Sequence, residues 1–428
     1  MTQEKKQSYL LPIIIMVFLF GMISFVTNLA APMGKILTTQ FDVSPAMGLL
    51  GNLANFIAYA VMGIPGGIML ERLGYKKTAL TAIIIGIIGV FIQYLSGGQE
   101  SFVIYLIGAF IAGFSMCLLN MVVNPMLNTL GGGGNKGNQL IQIGGSFNSV
   151  MGTLTPMLVG VLVGEITKST SIADVYPVLF IAMGVFAFAF LVLSISKLPE
   201  PHAEKAKEPL SSLMLGALKF RHFVMGAIAI FVYVGVEVGT PGVLDLWLVK
   251  DIGIAPTISG FVCGTYWFLM LIGRLVGASI GSKVSSKTML TVTSGVGVVL
   301  VALAMFLPVS TLVNVPVLQT DAVGALGFGL AEVPINALLL LLVGLCTSIM
   351  WGGIFNLAVE GLGKYLAAAS GIFMVLVCGG GILPWIQGLI VPVAGYQVSY
   401  VVILIGLIYL LYYALIGSKN VNKDIPVD

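Results

Sequence analysis

The stretch GGIMLERLGYKK, residues 66–77, decides how this chain folds. It places one acidic and three basic side chains between two long apolar runs, near residues 46–69 and 78–96. About 20 apolar residues in a helix are enough to cross the hydrocarbon core of a bilayer. We therefore predict a short charged turn that joins two membrane-spanning helices.

The same alternation of apolar runs and short polar breaks continues along all 428 residues. The sequence is 58% hydrophobic and 9% charged, and its mean hydropathy is +1.06. Soluble domains carry about a quarter charged residues, so we predict an all-α polytopic membrane protein. The formal net charge of +3, without a basic patch that contains aromatic residues, argues against a nucleic-acid partner.

Apolar runs between polar breaks predict twelve transmembrane helices. The longest strongly polar segment follows the sixth run, and its Pro, Glu and Lys content is typical of a solvated connector. We predict an N-terminal six-helix bundle at 1–196, a cytoplasmic linker at 197–221 and a C-terminal six-helix bundle at 222–428. A second connector, near 309–332, is apolar and glycine-rich, and we expect it to fold against the protein. The predicted spans lie near residues 10–36, 46–69, 78–96, 102–128, 138–164, 174–196, 222–248, 257–281, 287–308, 333–358, 366–391 and 396–417.

The distribution of Lys and Arg among the loops predicts the orientation, because cytoplasmic loops carry an excess of positive charge. If the N-terminus is cytoplasmic, that side collects most of these residues, and the other side receives only Lys35, Lys168 and Lys250. We therefore predict a multi-pass protein of the cytoplasmic (inner) membrane with both termini in the cytoplasm.

Two short repeats indicate that the halves are related. NPMLNTLG at 124–131 aligns with NLAVEGLG at 356–363, and GTLTPMLVG at 152–160 aligns with GGILPWIQG at 380–388. Parallel repeats of six helices are found in transporters that work by alternating access. We predict two pseudo-symmetric six-helix bundles.

The segment TLGGGGNKG, residues 129–137, is rich in glycine but lacks the spacing of a phosphate-binding loop. Such a loop needs G-x-x-x-x-G-K-[ST], whereas Lys136 follows Asn135 and Gly137 stands where the hydroxyl is required. We predict a cytoplasmic hinge turn that binds no nucleotide. The four cysteines and two histidines show no metal-binding spacing, so we expect neither a metal site nor a cofactor.

The charged turn also matches a family signature. Its residues resemble G-x-x-x-D-R-x-G-R-K of the major facilitator superfamily, with Glu in place of Asp and Tyr in place of the first Arg. The resemblance implies the major facilitator fold, in which the acid and the cations tie helix ends together on the cytoplasmic side and favour the outward-open state. A loop that only obeys the positive-inside rule is the simpler alternative. The matching residues are Gly67, Glu71, Arg72, Gly74, Lys76 and Lys77.

Longer stretches resemble the fucose–proton symporter family of that superfamily, in the second, fourth, fifth, tenth and eleventh spans. This resemblance implies a secondary active transporter that imports glucose, galactose, fucose or a related monosaccharide by alternating access, coupled to H⁺ or Na⁺. The stretches are IPGG at 64–67, NPMLNTLG at 124–131, GSFNSVMGTLTPMLVG at 145–160, SIMWGGIFNLAVEGLG at 348–363 and SGIFMVLVCGGGILPWIQG at 370–388.

Intramembrane amides and tryptophans are the candidate sugar-binding residues, because sugars are uncharged and rich in hydroxyl groups. Asn148 matches the sugar-contact position of the resembled family and is the best single candidate. Simpler roles stay open for two others: Asn124 could satisfy backbone groups freed by Pro125, and Asn356 could cap a helix end. The candidates are Asn28, Asn120, Asn124, Asn148, Trp267, Trp351, Asn356 and Gln387.

The coupling group departs from the resembled family. That family has acids in the first and fourth spans, where this chain has Ala31 and Asn120, and Gly145 replaces a family glutamine. Glu237 lies near the middle of its span, and a carboxylate inside a membrane is a functional candidate by default. It could bind a proton or help hold Na⁺. Alternatively it pairs permanently with Arg274 or hydrogen-bonds its neighbours, and the carrier is a uniporter.

Two functions are open at this stage. One is cation-coupled sugar import, and the other is facilitative or efflux transport of another small polar molecule on the same fold. A membrane enzyme is not indicated, because the apolar runs contain no nucleophile–base or His-metal grouping. We expect a sugar substrate and the lipid bilayer as partners, no nucleic acid, and a monomer.

Overall fold

The computed structural model describes residues 9–41, 47, 50–163, 170–198, 200, 210–281, 283–320 and 326–427. Twelve helical passes, α1 to α12, follow one another in these residues. The first six are α1 (Leu10–Asn28, continued by Ala30–Gln40), α2 and α3 (both within Leu50–Gly98), α4 (Phe102–Leu130), α5 (Gly134–Val163) and α6 (Tyr176–Ile195). The last six are α7 (Arg221–Lys250), α8 (Pro256–Ile280), α9 (Ser286–Phe306), α10 (Ile335–Thr347 and Met350–Val359), α11 (Leu366–Leu376 and Gly379–Ala394) and α12 (Tyr396–Ser399, Val401–Tyr412 and Tyr413–Gly417).

The lengths of these helices confirm the predicted polytopic fold. Ten helical stretches among the described residues are long and apolar enough to cross a membrane. One of them, Leu50–Gly98, has 49 residues, about 74 Å of helix at 1.5 Å per residue, enough for two crossings of a core about 30 Å thick. Its two passes meet at Gly74, where φ is 77° and ψ is 176°. With α5, the described residues provide twelve helical passes.

Four of the predicted continuous spans are interrupted, α1 and α12 at single residues, Leu29 and Tyr400, and α10 and α11 over two residues each. The structure breaks α10 between Thr347 and Met350 and α11 between Leu376 and Gly379. A break inside a membrane is tolerated only where neighbouring groups satisfy the freed backbone. The break in α10 is therefore a first indication of where the polar site lies.

The second connector folds against the protein but contains strands. Strands β1 (Leu312–Thr320) and β2 (Leu326–Pro334) form an antiparallel hairpin in which Leu312 lies opposite Pro334. The hairpin packs against α8 and α10. Its sequence alternates, with Val315 and Val317 buried and Asn314 and Pro316 exposed. This period-2 pattern predicts a strand. The all-α prediction did not include these two strands.

Helices of the two halves pack on one another through α5 with α8 and α10, and through α2 with α11. Every described hydrogen bond from α5 to the C-terminal half comes from residues 138–149, the first half of α5. The halves are thus joined at the side of the 131–133 and 281–285 loops. The domain boundaries at 196 and 222 stay a prediction, since linker residues 201–209 lie outside the described residues.

Candidate functional site

The break in α10 exposes carbonyl groups at the contact between the halves. Gly273 and Gly277 of α8 lie against Ser348 and Ile349 at this break, and a Cβ on either glycine would collide with them. Small residues let transmembrane helices approach this closely. The carbonyl oxygens of Ser348 and Ile349 both accept hydrogen bonds from side chains of other helices.

Arg274 of α8 occupies this contact with its guanidinium buried. Its Nε donates to the carbonyl oxygen of Ser348 at 3.2 Å, and its Nη2 donates to Oε1 of Glu237 on α7, also at 3.2 Å. The side chains of Arg274 and Glu237 are 8% and 14% exposed. Burying a charge costs much free energy unless the charge is paired. Arg274 is the partner of Glu237, the predicted intramembrane acid, and both residues belong to the C-terminal half.

The remaining donor group of Arg274 crosses to the N-terminal half. Nη1 donates to three acceptors on α5: the carbonyl oxygen of Gly145 at 2.6 Å, Oγ of Ser149 at 2.9 Å and Oδ1 of Asn148 at 3.1 Å. A Cβ on residue 145 would lie 3.3 Å from Cδ of Arg274. Glycine at this position therefore leaves room for the arginine, which offers a physical reason for the departure from the family glutamine.

Asn148 connects three helices. Its Oδ1 accepts from Arg274 on α8, while its Nδ2 donates to the carbonyl oxygen of Phe20 on α1 at 2.9 Å. The side chain is half-buried. The strongest sequence candidate therefore lies at the centre of the contact between the halves.

A second polar chain crosses between the halves through neutral groups. Asn120 donates to the Tyr59 hydroxyl at 3.0 Å and accepts from Nδ2 of Asn124 at 3.2 Å. Asn124 in turn accepts from Nε1 of Trp351 on α10 at 2.9 Å. The Trp351 ring lies 6.2 Å from that of Tyr233, one helical turn before Glu237 on α7. Three predicted residues thus form one chain that ends beside the ion pair.

Asn356 lies in a third polar group, closer to the 281–285 loop. Its Nδ2 donates to Oγ of Ser286 at 3.0 Å, and Asn138 of α5 donates to the same oxygen at 3.2 Å. Gln142 donates to the carbonyl oxygen of Ile349 at 3.1 Å. Asn356 therefore takes part in joining the halves, in addition to lying near a helix end.

The other sequence candidates lie apart from this contact. Asn28 donates to the backbone and hydroxyl oxygens of Ser24 on its own helix at 2.9 and 3.0 Å. Trp267 is half-buried and packs edge-on against Tyr266. Gln387 is fully buried beside Gly239 of α7, within the C-terminal half, and its amide has no partner among the described residues.

The contact around Arg274 is nearly filled. Its cavity has a volume of about 10 Å³ and is lined by residues of α1, α5, α8 and α10. That is space for no more than one water molecule. In this conformation a sugar cannot pass through the Arg274 layer. The described residues contain no group of three or more His, Cys, Asp or Glu side chains that could hold a metal ion.

Comparisons with known proteins identify the architecture. The sequence profile described as Major Facilitator Superfamily matches residues 13–383 of this chain. The chain belongs to the Major Facilitator Superfamily.

Two related proteins match this chain along nearly its whole length. A Brucella abortus biovar 1 (strain 9-941) protein named glucose/galactose transporter is 27% identical over 410 residues, which cover 94% of this chain and 93% of the relative. An Escherichia coli (strain K12) protein named L-fucose-proton symporter is 21% identical over 425 residues, covering 91% and 89%.

A solved structure confirms the major facilitator fold. It is the crystal structure of a Major Facilitator Superfamily transporter, FucP, in the outward conformation. It superposes with a TM-score of 0.77 at 19% identity and covers 97% of this chain and 100% of its own.

The superfamily signature forms the predicted charged turn. Glu200, just after α6, accepts from the backbone N–H groups of Tyr75 at 2.8 Å and Lys76 at 3.1 Å. Gly74 lies against this carboxylate with φ of 77°, a conformation that suits only glycine. The acid that binds the turn was not singled out from the sequence, because it lies 124 residues beyond Lys76.

The basic residues of the signature differ in their roles. Nζ of Lys76 donates to the carbonyl oxygens of Ser194 at 2.8 Å and Ser196 at 2.7 Å, at the end of α6. It therefore ties two helix ends together, as the resemblance implies. Arg72 and Lys77 are exposed and Glu71 is half-buried. Gly67 lies where α2 approaches Gly371 of α11.

The sequence contained a signal for the polar residues of α5 that was not used. Asn138, Gln142, Gly145 and Ser149 are spaced by four, three and four residues. Such spacing places side chains on one face of a helix. That face meets the C-terminal half, so the periodicity would have predicted the contact surface, although not its partners.

Proposed function

We propose that this chain imports a monosaccharide of the glucose, galactose or fucose type by alternating access. The names of its full-length relatives, glucose/galactose transporter and L-fucose-proton symporter, support this substrate class. The observation that carries the proposal is the position of Asn148, a half-buried amide held between three helices at the contact of the two halves. An amide both donates and accepts hydrogen bonds, as recognition of a sugar hydroxyl requires.

The proposed orientation places the basic loops and both termini in the cytoplasm of the producing cell. The joined side of the molecule is then the cytoplasmic side, and the conformation is outward-open. Every described hydrogen bond from α5 to the C-terminal half lies on this joined side, in residues 138–149, which supports a closed cytoplasmic side.

We propose that a cation, H⁺ or Na⁺, couples to the sugar through Glu237. No titratable acid stands at Ala31 or Asn120, so the coupling group has to lie elsewhere. Glu237 is the acid within the membrane-spanning helices that contacts the joined halves, through Arg274. The proposed carrier is not an enzyme, uses no cofactor and works as a monomer.

One observation supports a second function. The Glu237–Arg274 pair is already complete, with the two atoms 3.2 Å apart. If this pair never separates, Glu237 does not couple an ion to transport. The protein would then be a facilitative or efflux carrier of a small polar molecule.

Sugar counterflow in proteoliposomes tests the proposed substrate without assuming a coupling ion. Vesicles loaded with unlabelled glucose, galactose or fucose should take up the labelled sugar transiently, and protein-free vesicles should not. Saturable counterflow of at least one sugar is expected. Its absence for all three, with protein correctly inserted, would contradict the proposal.

A further inference from the structure

Arg274 makes five described hydrogen bonds, and they divide unequally between the halves. Two go to acceptors in its own half, on α7 and α10, while three go to α5 of the other half. We infer that Arg274 is the latch that holds the joined side closed, and that substrate at Asn148 releases it. The second clause rests on the proposed function; the first does not.

The strength of the latch follows from its charge. Hydrogen bonds from a charged donor are about twice as strong as those between neutral groups. The other described links from α5 to the C-terminal half, made by Asn138, Gln139 and Gln142, are neutral side-chain bonds. Among these described links, Arg274 is therefore expected to contribute most to the free energy that holds the joined side closed.

The position of Glu237 makes the latch reversible. Moving an unpaired charge within a membrane is costly. Glu237 and Arg274 lie on adjacent helices, α7 and α8, of the same half. When the three bonds to α5 break, the guanidinium keeps its carboxylate partner, so opening leaves no uncompensated charge.

Asn148 links the latch to the substrate. Its Nδ2 is used by the carbonyl oxygen of Phe20, and its Oδ1 is used by Arg274. A sugar hydroxyl that donates to Oδ1 shares this oxygen, which has two lone pairs, with Nη1 of Arg274 and draws acceptor strength away from the guanidinium. Substrate binding therefore weakens the closure of the opposite side, which is the event that alternating access requires.

The latch can be tested by measuring the distance between the halves with paired spin labels. Lys136, at the start of α5, and Lys283, after α8, are exposed and lie on the joined side in different halves. Cysteines at these two positions, in a background lacking the native cysteines, carry the labels. Double electron–electron resonance in nanodiscs without sugar then gives the ratio of open to closed molecules.

The decisive variant is Arg274→Met combined with Glu237→Gln, which removes the latch without leaving an unpaired charge. We expect the open-to-closed ratio to rise at least about tenfold, because the loss of one hydrogen bond to a charged group is enough for that change. Asn336→Ala is the matched control. It removes two hydrogen bonds, to the carbonyl oxygens of Ala304 and Leu307, entirely inside the C-terminal half, and should leave the ratio unchanged.

A milder variant decides the question if the double variant does not fold. Ser149→Ala removes one acceptor of Nη1 and should shift the ratio in the same direction by a smaller factor. An unchanged open-to-closed ratio in the folded double variant would overturn the latch. If the double variant does not fold, an unchanged ratio in Ser149→Ala would do so. Neither result would contradict the proposed sugar transport. A shifted ratio in a protein that shows no counterflow would support the latch and reject the proposed substrate.

Discussion

Asn148 shows how far a single residue can be understood from sequence. Its residue type, its place on a glycine-rich helix and its match to the sugar-contact position of the resembled family selected it as the leading site candidate. Its partners were not predictable, because Phe20 and Arg274 lie 128 and 126 residues away along the chain. Hydrogen-bond partners depend on how the helices pack, and a single sequence does not reveal that packing.

Replacement of Asn148 by alanine should weaken sugar binding by ten- to a hundredfold. The change removes one amide from a hydroxyl-matched site and leaves its partners unpaired, at a cost of about 1–3 kcal/mol. Calorimetric titration of the purified protein with the sugar found by counterflow measures the effect. Asn336→Ala, which loses a buried amide away from the contact, is the control, and equal affinities in both variants and the parent would remove Asn148 from the site.

Among helices and turns, the prediction succeeded where the signal was local. Apolar runs placed the twelve passes, since each helix satisfies its own backbone in the membrane. The break in α10 was missed because it is stabilised from outside: Arg274 and Gln142 donate to carbonyl groups at this break. The β1–β2 hairpin was missed for a different reason, since its alternating pattern was present but not read.

The charged turn depends on the conformation of Gly74. Alanine there would hold a side chain at φ of 77° and press its Cβ to within 2.7 Å of Oε2 of Glu200. We expect Gly74→Ala to destabilise the folded protein by about 1–3 kcal/mol, measured as a lower apparent Tm in detergent. Gly295→Ala is the control, because a Cβ there meets no atom within 4 Å; equal Tm values for both variants would contradict the strained turn.

The glycine-rich segment before α5 uses its backbone groups for its own turn. The N–H groups of Gly131, Gly132 and Gly133 donate to carbonyl oxygens at the end of α4. They are therefore not available to cradle a phosphate. We expect no ATP binding by the purified protein in equilibrium dialysis, and ATP binding that Lys136→Ala abolishes would show that the segment is a nucleotide site.

On the scale of the whole molecule, three polar layers join the halves among the described residues, and one of these three contains charges. The Asn124–Trp351 bond and the Asn138, Asn356 and Ser286 group are neutral. The layer with Glu237 and Arg274 is charged. An ion gradient acts on a group that changes charge or binds a cation, so the proposed coupling through Glu237 belongs to this layer.

Gradient-driven accumulation of labelled sugar in proteoliposomes tests the account most directly, comparing the parent with Glu237→Gln. The parent should concentrate the sugar when an inward H⁺ or Na⁺ gradient is imposed, and an ionophore should abolish the excess. Glu237→Gln should still exchange sugar but bring it only to equal concentrations. An unchanged accumulation ratio in Glu237→Gln would contradict coupling through this carboxylate, and no uptake by the parent would contradict sugar import itself.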